Sequence, residues 1–130
     1  MDLCNIDNIR GILKRHGFRF SKSLGQNFLT AAWVPEEIAE SSEVDSGCCV
    51  LEIGPGMGAL TRALAGRAHH VVAVELDREL IPVLDETLAG LNNITVINED
   101  IMKCNLEALT REHFGGMKKL VCANLPYYIT

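Results

Sequence analysis

Between Cys49 and Gly58 the chain passes from an apolar run broken by one acid, Cys49-Val50-Leu51-Glu52-Ile53, into three glycines spaced two apart, Gly54-Pro55-Gly56-Met57-Gly58. A short apolar run bounded by glycine reads as a buried strand. The glycines behind it read as a turn that lets a ligand approach bare backbone. Residues 59–66 then take helical spacing, and the unit recurs. His70 to Leu76 contains Val-Val-Ala-Val and is a second strand. Arg78 to Leu88 is a helix, with Pro82 inside it expected to weaken its first turns. Ile94 to Ile97 is a third strand, Lys103 to Glu112 a helix stopped by Gly115-Gly116, and Leu120 to Ala123 a fourth strand. Strands alternating with helices specify an α/β fold: a parallel, doubly wound sheet with helices on both faces and right-handed crossovers. The expected strand order is 3-2-1-4.

Ahead of this alternation, Ile6, Ile9, Ile12 and Leu13 have helical spacing, and Gly17 is a stop signal. Residues 18–30 follow neither period and read as an ordered loop rich in Ser, Gly and Asn. Pro35-Glu36-Glu37 has the chemistry of a helix first turn, in a helix running to about Ser42. Charge divides the chain at the same place. Residues 1–34 carry five basic and two acidic side chains, a balance of +3, while residues 35–130 carry seven basic and fifteen acidic, a balance of −8. A basic arm on an acidic body suits contact with RNA, although a solvated helix face gives the same pattern. The expected organisation is therefore a basic N-terminal helix and loop over 1–34 and a sheet domain over 35–130.

The five cysteines are odd in number and form no CxxC, so neither a metal site nor a disulfide framework is expected, and a reducing cytoplasm is the simplest setting. No apolar run approaches the roughly 18 residues that a membrane span requires.

The chemistry gathers at the strand ends. Gly54, Gly56 and Gly58 follow the first strand, with Glu52 two residues ahead of Gly54. A dinucleotide fingerprint has a third glycine where this chain has Ala59, so the spacing better suits a ligand without a pyrophosphate. Glu75 ends the second strand, 21 residues after Gly54, where a carboxylate can accept both hydroxyl hydrogens of a ribose. Asp77 and Glu79 read as solvated neighbours. Glu99-Asp100 follows the third strand, where a carboxylate can accept from an adenine amino group. Asn124-Leu125-Pro126-Tyr127 follows the fourth. The Asn124 side-chain oxygen and a carbonyl beside Pro126 could both accept the hydrogens of an exocyclic amine, favouring the charge that develops on it during methyl transfer. Proline holds Leu125 extended, and Tyr127 can stack on a base taken out of its helix.

Taken together, Lys22-Ser23-Leu24-Gly25-Gln26-Asn27-Phe28-Leu29, the Leu51–Gly58 block, Val74-Glu75, Glu99-Asp100 and Asn124-Leu125-Pro126-Tyr127-Tyr128-Ile129-Thr130 resemble the ribosomal RNA adenine N6,N6-dimethyltransferases. Leu24-Gly25 and Tyr128 resemble the small-subunit, kasugamycin-sensitivity type more than the macrolide-resistance methylases of large-subunit RNA. The resemblance implies a Rossmann-like methyltransferase fold and S-adenosylmethionine as methyl donor. It also implies ribosomal RNA of the small subunit as partner, with neither metal nor membrane. By the same resemblance, Gln26, Asn27 and Leu29 close over the donor and Gly54 with Gly56 cradles its amino-acid portion. Glu75 takes the ribose, Asp100 takes the adenine amine, Asn124 lies between donor and target, and Tyr127 stacks on the target base. Complete members continue into further strands and a helical C-terminal domain. This chain is accordingly expected to be the donor-binding N-terminal part, truncated after the fourth strand, binding donor with little turnover. Two other functions compete: a Rossmann oxidoreductase, disfavoured by Ala59, and a catalytically silent RNA-binding assembly or transcription factor on the same fold.

Overall fold

The computed structural model describes residue 3 and residues 5–18, 39–40 and 42–123. Within these, helix α1 (Ile6–Arg15) precedes an alternating series: β1 (Cys48–Ile53), α2 (Ala59–Ala65), β2 (His70–Glu75), α3 (Ile81–Thr87), β3 (Ile94–Asn98), α4 (Leu106–Phe114) and β4 (Lys118–Ala123). Single turns of tighter helix, Arg78–Leu80 and Ile101–Lys103, follow β2 and β3. The strands pair in the order β3-β2-β1-β4, and every pair is parallel, as the alternation predicts. Among the described residues no helix is long and apolar enough to cross a membrane.

The two central strands are buried nearly end to end, which is why they read as continuous apolar runs. Side chains alternate between faces. Val50 and Val71 pack with Leu60, Ala63 and Leu64 of α2, joined by Leu120 and Cys122 of β4. Cys49, Leu51, Val72 and Val74 point the other way, onto Phe114 of α4. The crossover from β1 to β2 thus covers one face and the return from β3 to β4 covers the other, as right-handed connections require.

Two helices differ from their sequence boundaries, and each difference has a local cause. Pro82 does not interrupt a helix starting at Arg78. The chain makes a tight turn over Arg78–Leu80, and α3 begins at Ile81, so Pro82 falls in the first turn, where its missing N–H leaves no bond unmade. Likewise Lys103 belongs to the turn after β3. Helix α4 begins only after Asn105, whose Oδ1 accepts from the Ala108 N–H at 3.0 Å, and continues past Glu112 because Phe114 is buried in the core. Of the helix expected from Pro35 to about Ser42, Ala39 and Glu40 are helical, Ser42 lies in a turn, and residues 35–38 and 41 lie outside the described residues, as does the loop beyond Phe18.

Helix α1 is capped by Asn5, whose Oδ1 accepts from Asp7 and Asn8 N–H groups at 2.9 and 3.3 Å. Its apolar face, Ile9, Ile12 and Leu13, packs with Met57, Leu80 and Val83, so the basic arm shares a core with the glycine turn. Arg15 and His16 both reach the Glu86 carboxylate, His16 Nε2 at 3.0 Å, which holds Glu86 below the usual carboxylate range. At the opposite end of the sheet from the glycines, the rings of His70 and His113 lie parallel with centroids 6.4 Å apart. Burial, then repulsion from His113 and His69, holds His70 below the ordinary histidine range.

Gly58, the residue before α2, has φ of 90°, and a Cβ there would meet Leu88 Cδ2 and Thr87 Oγ1 at 3.0 Å each. Gly58→Ala therefore combines left-handed strain with overpacking between α2 and α3. We expect a loss of roughly 2–4 kcal/mol, read as a lower urea midpoint. A loss under about 0.5 kcal/mol would mean that this contact is looser than described.

Candidate functional site

Because all four strands run the same way, their carboxyl ends lie along one edge, where ligands of open α/β sheets bind. The glycine turn leaves β1 at this edge. Gly54 and Gly56 hold φ of 72° and 58°, left-handed backbone that leaves their N–H groups unshielded by side chains. The Gly54 N–H donates to the Val74 carbonyl at 3.0 Å, and the Gly56 N–H donates to Glu75 Oε1 at 3.2 Å. The turn is therefore fastened to the end of β2 twice.

Glu75 is the hub of this arrangement. It is only 6% exposed, and its second oxygen accepts from the Asp77 N–H at 2.9 Å. Burial raises its carboxyl above the usual range, and those two N–H donors partly offset the rise. Asp77 in turn caps the tight turn after β2 by accepting from the Glu79 N–H at 2.9 Å. Asp100 does the same one strand over, its Oδ1 accepting from the Met102 N–H at 2.9 Å. Gly56 and Glu75 are thus brought into direct contact, with Gly54 bonded to the residue before Glu75. Asp100 stands further along the edge, past β3, with a local capping bond already made. Gln26, Asn27, Leu29, Asn124, Leu125, Pro126 and Tyr127 lie outside the described residues, although β4 ends at Ala123, in register with Ile53 at the mouth of the glycine turn.

Four further residues belong to this edge; of these the sequence marked only Glu52, as the acid two residues ahead of Gly54, and gave it no role of its own. Glu52 is fully buried beneath the turn, with Oε1 accepting from Thr61 Oγ1 at 2.5 Å and Oε2 without a hydrogen-bond partner. Burial pushes its carboxyl up to about 7, with the Thr61 hydroxyl opposing and the Glu75 charge adding to the rise. An acid inside an otherwise apolar strand was the available signal. Asn98 ends β3 and donates Nδ2 to the carbonyls of Glu75 and Leu76, at 2.8 and 3.2 Å, fixing the backbone that follows β2. Leu76 is 68% exposed, immediately after Glu75, and offers a flat apolar surface at the strand end. The fourth residue, Thr61, carries no pattern that would mark it.

A model of the ribosomal RNA adenine dimethylase family matches residues 17–130. The chain belongs to that family. It is 48% identical over 130 residues to ribosomal RNA small subunit methyltransferase A of Latilactobacillus sakei, covering 99% of this chain and 44% of that protein. The chain therefore spans less than half the length of this curated relative. Among solved structures it resembles the 23S rRNA methyltransferase ErmE, with 44% identity and a TM-score of 0.52 over 55% of this chain and 29% of that one. It also resembles a dimethyladenosine transferase from Plasmodium falciparum, with 28% identity and a TM-score of 0.58 over 75% and 33%. The fold is the Rossmann-like methyltransferase fold, with a four-stranded parallel sheet among the described residues.

Glu52 gives this edge a measurable cost in stability. Its carboxyl titrates near 4.5 when unfolded and about 7 when folded. Between those values the native state holds more protons than the unfolded chain, so this group's contribution falls as pH rises, by about 3 kcal/mol in all. Glu52→Gln removes that dependence. We expect it to be more stable than the wild type by about 2–3 kcal/mol at pH 8, with most of the difference gone at pH 5, in urea unfolding at both values. A constant difference across pH would show that Glu52 ionises as freely folded as unfolded.

Proposed function

We propose that the protein of which this chain forms part transfers methyl groups from S-adenosylmethionine to the N6 amine of adenine in small-subunit ribosomal RNA, twice on each target base. The observation that carries this reading is Glu75, buried at the end of β2 and bonded to the Gly56 N–H. One rigid unit thus joins a carboxylate suited to a ribose with a glycine turn suited to close approach, which supports the reading. The residues fit the donor chemically. A carboxylate at a second strand end suits paired hydroxyls, bare glycine backbone suits close approach, and the acids Glu52, Glu75 and Asp77 suit a ligand carrying positive charge. Family membership supports the same choice.

The donor, when bound, supplies a methyl on a sulfonium centre that departs as a neutral thioether. The rest falls to the protein's own groups. Glu75 holds the sugar, and Leu76 covers one face of the base attached to it. Asp100 accepts from that base's amine. Gln26, Asn27 and Leu29 close over the donor. Asn124, with the backbone about Leu125 and Pro126, accepts the hydrogens of the target amine, and Tyr127 stacks on the target ring. The basic arm, residues 1–34, faces RNA, while residues 35–130 form the sheet domain.

Calorimetric titration of the 130-residue chain with S-adenosylmethionine tests this reading. Binding is expected in the wild type and weakened at least tenfold in Glu75→Ala, with circular dichroism showing that the variant is folded. A folded wild-type chain that gives no binding signal would sink the proposal, and so would undiminished binding by the variant.

A further inference from the structure

The carboxyl group of Glu52 is the only charged side chain among the described residues that is completely enclosed, and half of its hydrogen-bonding capacity is unmet. Its position explains why that matters. Glu52 lies on β1 two residues before Gly54, it is tied to Thr61 in the first turns of α2, and it therefore passes directly beneath the glycine turn that links them. Strand alternation puts it on the same sheet face as Ala73, its register partner, and Glu75. The groups that act on it can be named element by element. Thr61 on α2 donates a hydrogen bond, and Glu75 on β2 adds like charge. Cys122 is its register partner on β4, and the thiol is itself raised by burial and by the Glu52 charge. None of these is a cation. A buried carboxylate with a spare oxygen, acidic company and no counter-charge is held in its neutral state until positive charge arrives.

We propose that Glu52 couples donor binding to proton release, carrying a proton in the ligand-free protein and giving it up when a cationic ligand settles into the glycine turn. This rests on the donor-site reading above and adds to it a regulation by pH. The proton leaves the carboxyl for solvent. The charge left behind sits under the turn, where it attracts the positive charge of the ligand. Folding the chain without ligand favours the protonated form, and binding favours the ionised one, so each proton added to the solution competes with the ligand. The elevated titration range of Glu52, about 7, places this competition near neutrality. The ligand's own sulfonium and ammonium keep their charges between pH 5.5 and 7, so the dependence over that interval belongs to the protein.

The test is calorimetric titration of the 130-residue chain with S-adenosylmethionine at several pH values between 5.5 and 7, each in two buffers of different ionisation enthalpy. We expect affinity to fall by about tenfold from pH 7 to pH 5.5, and about 0.8 proton to be released per ligand at pH 6.5. Glu52→Gln, checked for folding by its thermal transition, should bind with affinity that no longer varies over this interval and release no proton. Thr61→Val removes the bond that favours the ionised carboxyl, so its affinity should begin to fall at a higher pH than in the wild type. Wild-type binding that is independent of pH, with no proton released, overturns the coupling while leaving the donor site standing. Retention of the slope in Glu52→Gln, or an unmoved profile in Thr61→Val, overturns the assignment to Glu52. Absence of binding at every pH would instead strike the donor-site reading itself.

Discussion

Everything at the functional edge depends on all four strands running in one direction. In a parallel sheet each strand delivers its C-terminal residue to the same side, and each crossover helix starts from that side. Four sequence-distant points, Ile53, Glu75, Asn98 and Ala123, become neighbours in a row. The side chains there need no long loops to meet. The Gly56 N–H reaches Glu75, and Asn98 reaches the Glu75 and Leu76 carbonyls, across strands only one position apart.

The edge is also electrostatically unbalanced. Elsewhere among the described residues, helix starts are capped by Asn5 and Asn105, and the acid Glu86 is matched by Arg15 and His16. At the strand ends, Glu52 and Glu75 are buried near each other, and burial raises both. A core built for stability alone would place apolar residues there, since an unmatched buried carboxylate opposes folding. This local departure from good packing sense falls at the positions proposed above to meet a ligand.

Much of this was legible in the residues. Val71-Val72-Ala73-Val74 could only be a buried strand, and its neighbours' lengths dictated a doubly wound order, because β-branched runs of that size bounded by glycine and acids have few other solutions. Glu75 was visible as well, since an acid closing an apolar strand has no packing reason to be there. Helix starts were less legible. Pro82 looks like a breaker at any position in a helix except the first turn, and only the tight turn over Arg78–Leu80 shows that it occupies that turn. Thr61 and Asn98 could not be read at all, because their roles rest on partners nine and more than twenty residues away. Glu52 was seen as part of a motif, but its isolation is a property of three dimensions.

The parallel rings of His70 and His113 lie at the foot of the sheet, away from the acids at its head. Their responses to acid are opposed. Protonating His70 adds charge beside His113 and His69 and loosens the foot, whereas protonating Glu52 removes a buried charge and relaxes the head. As pH falls the two groups act on stability in opposite directions, one at each end of the sheet.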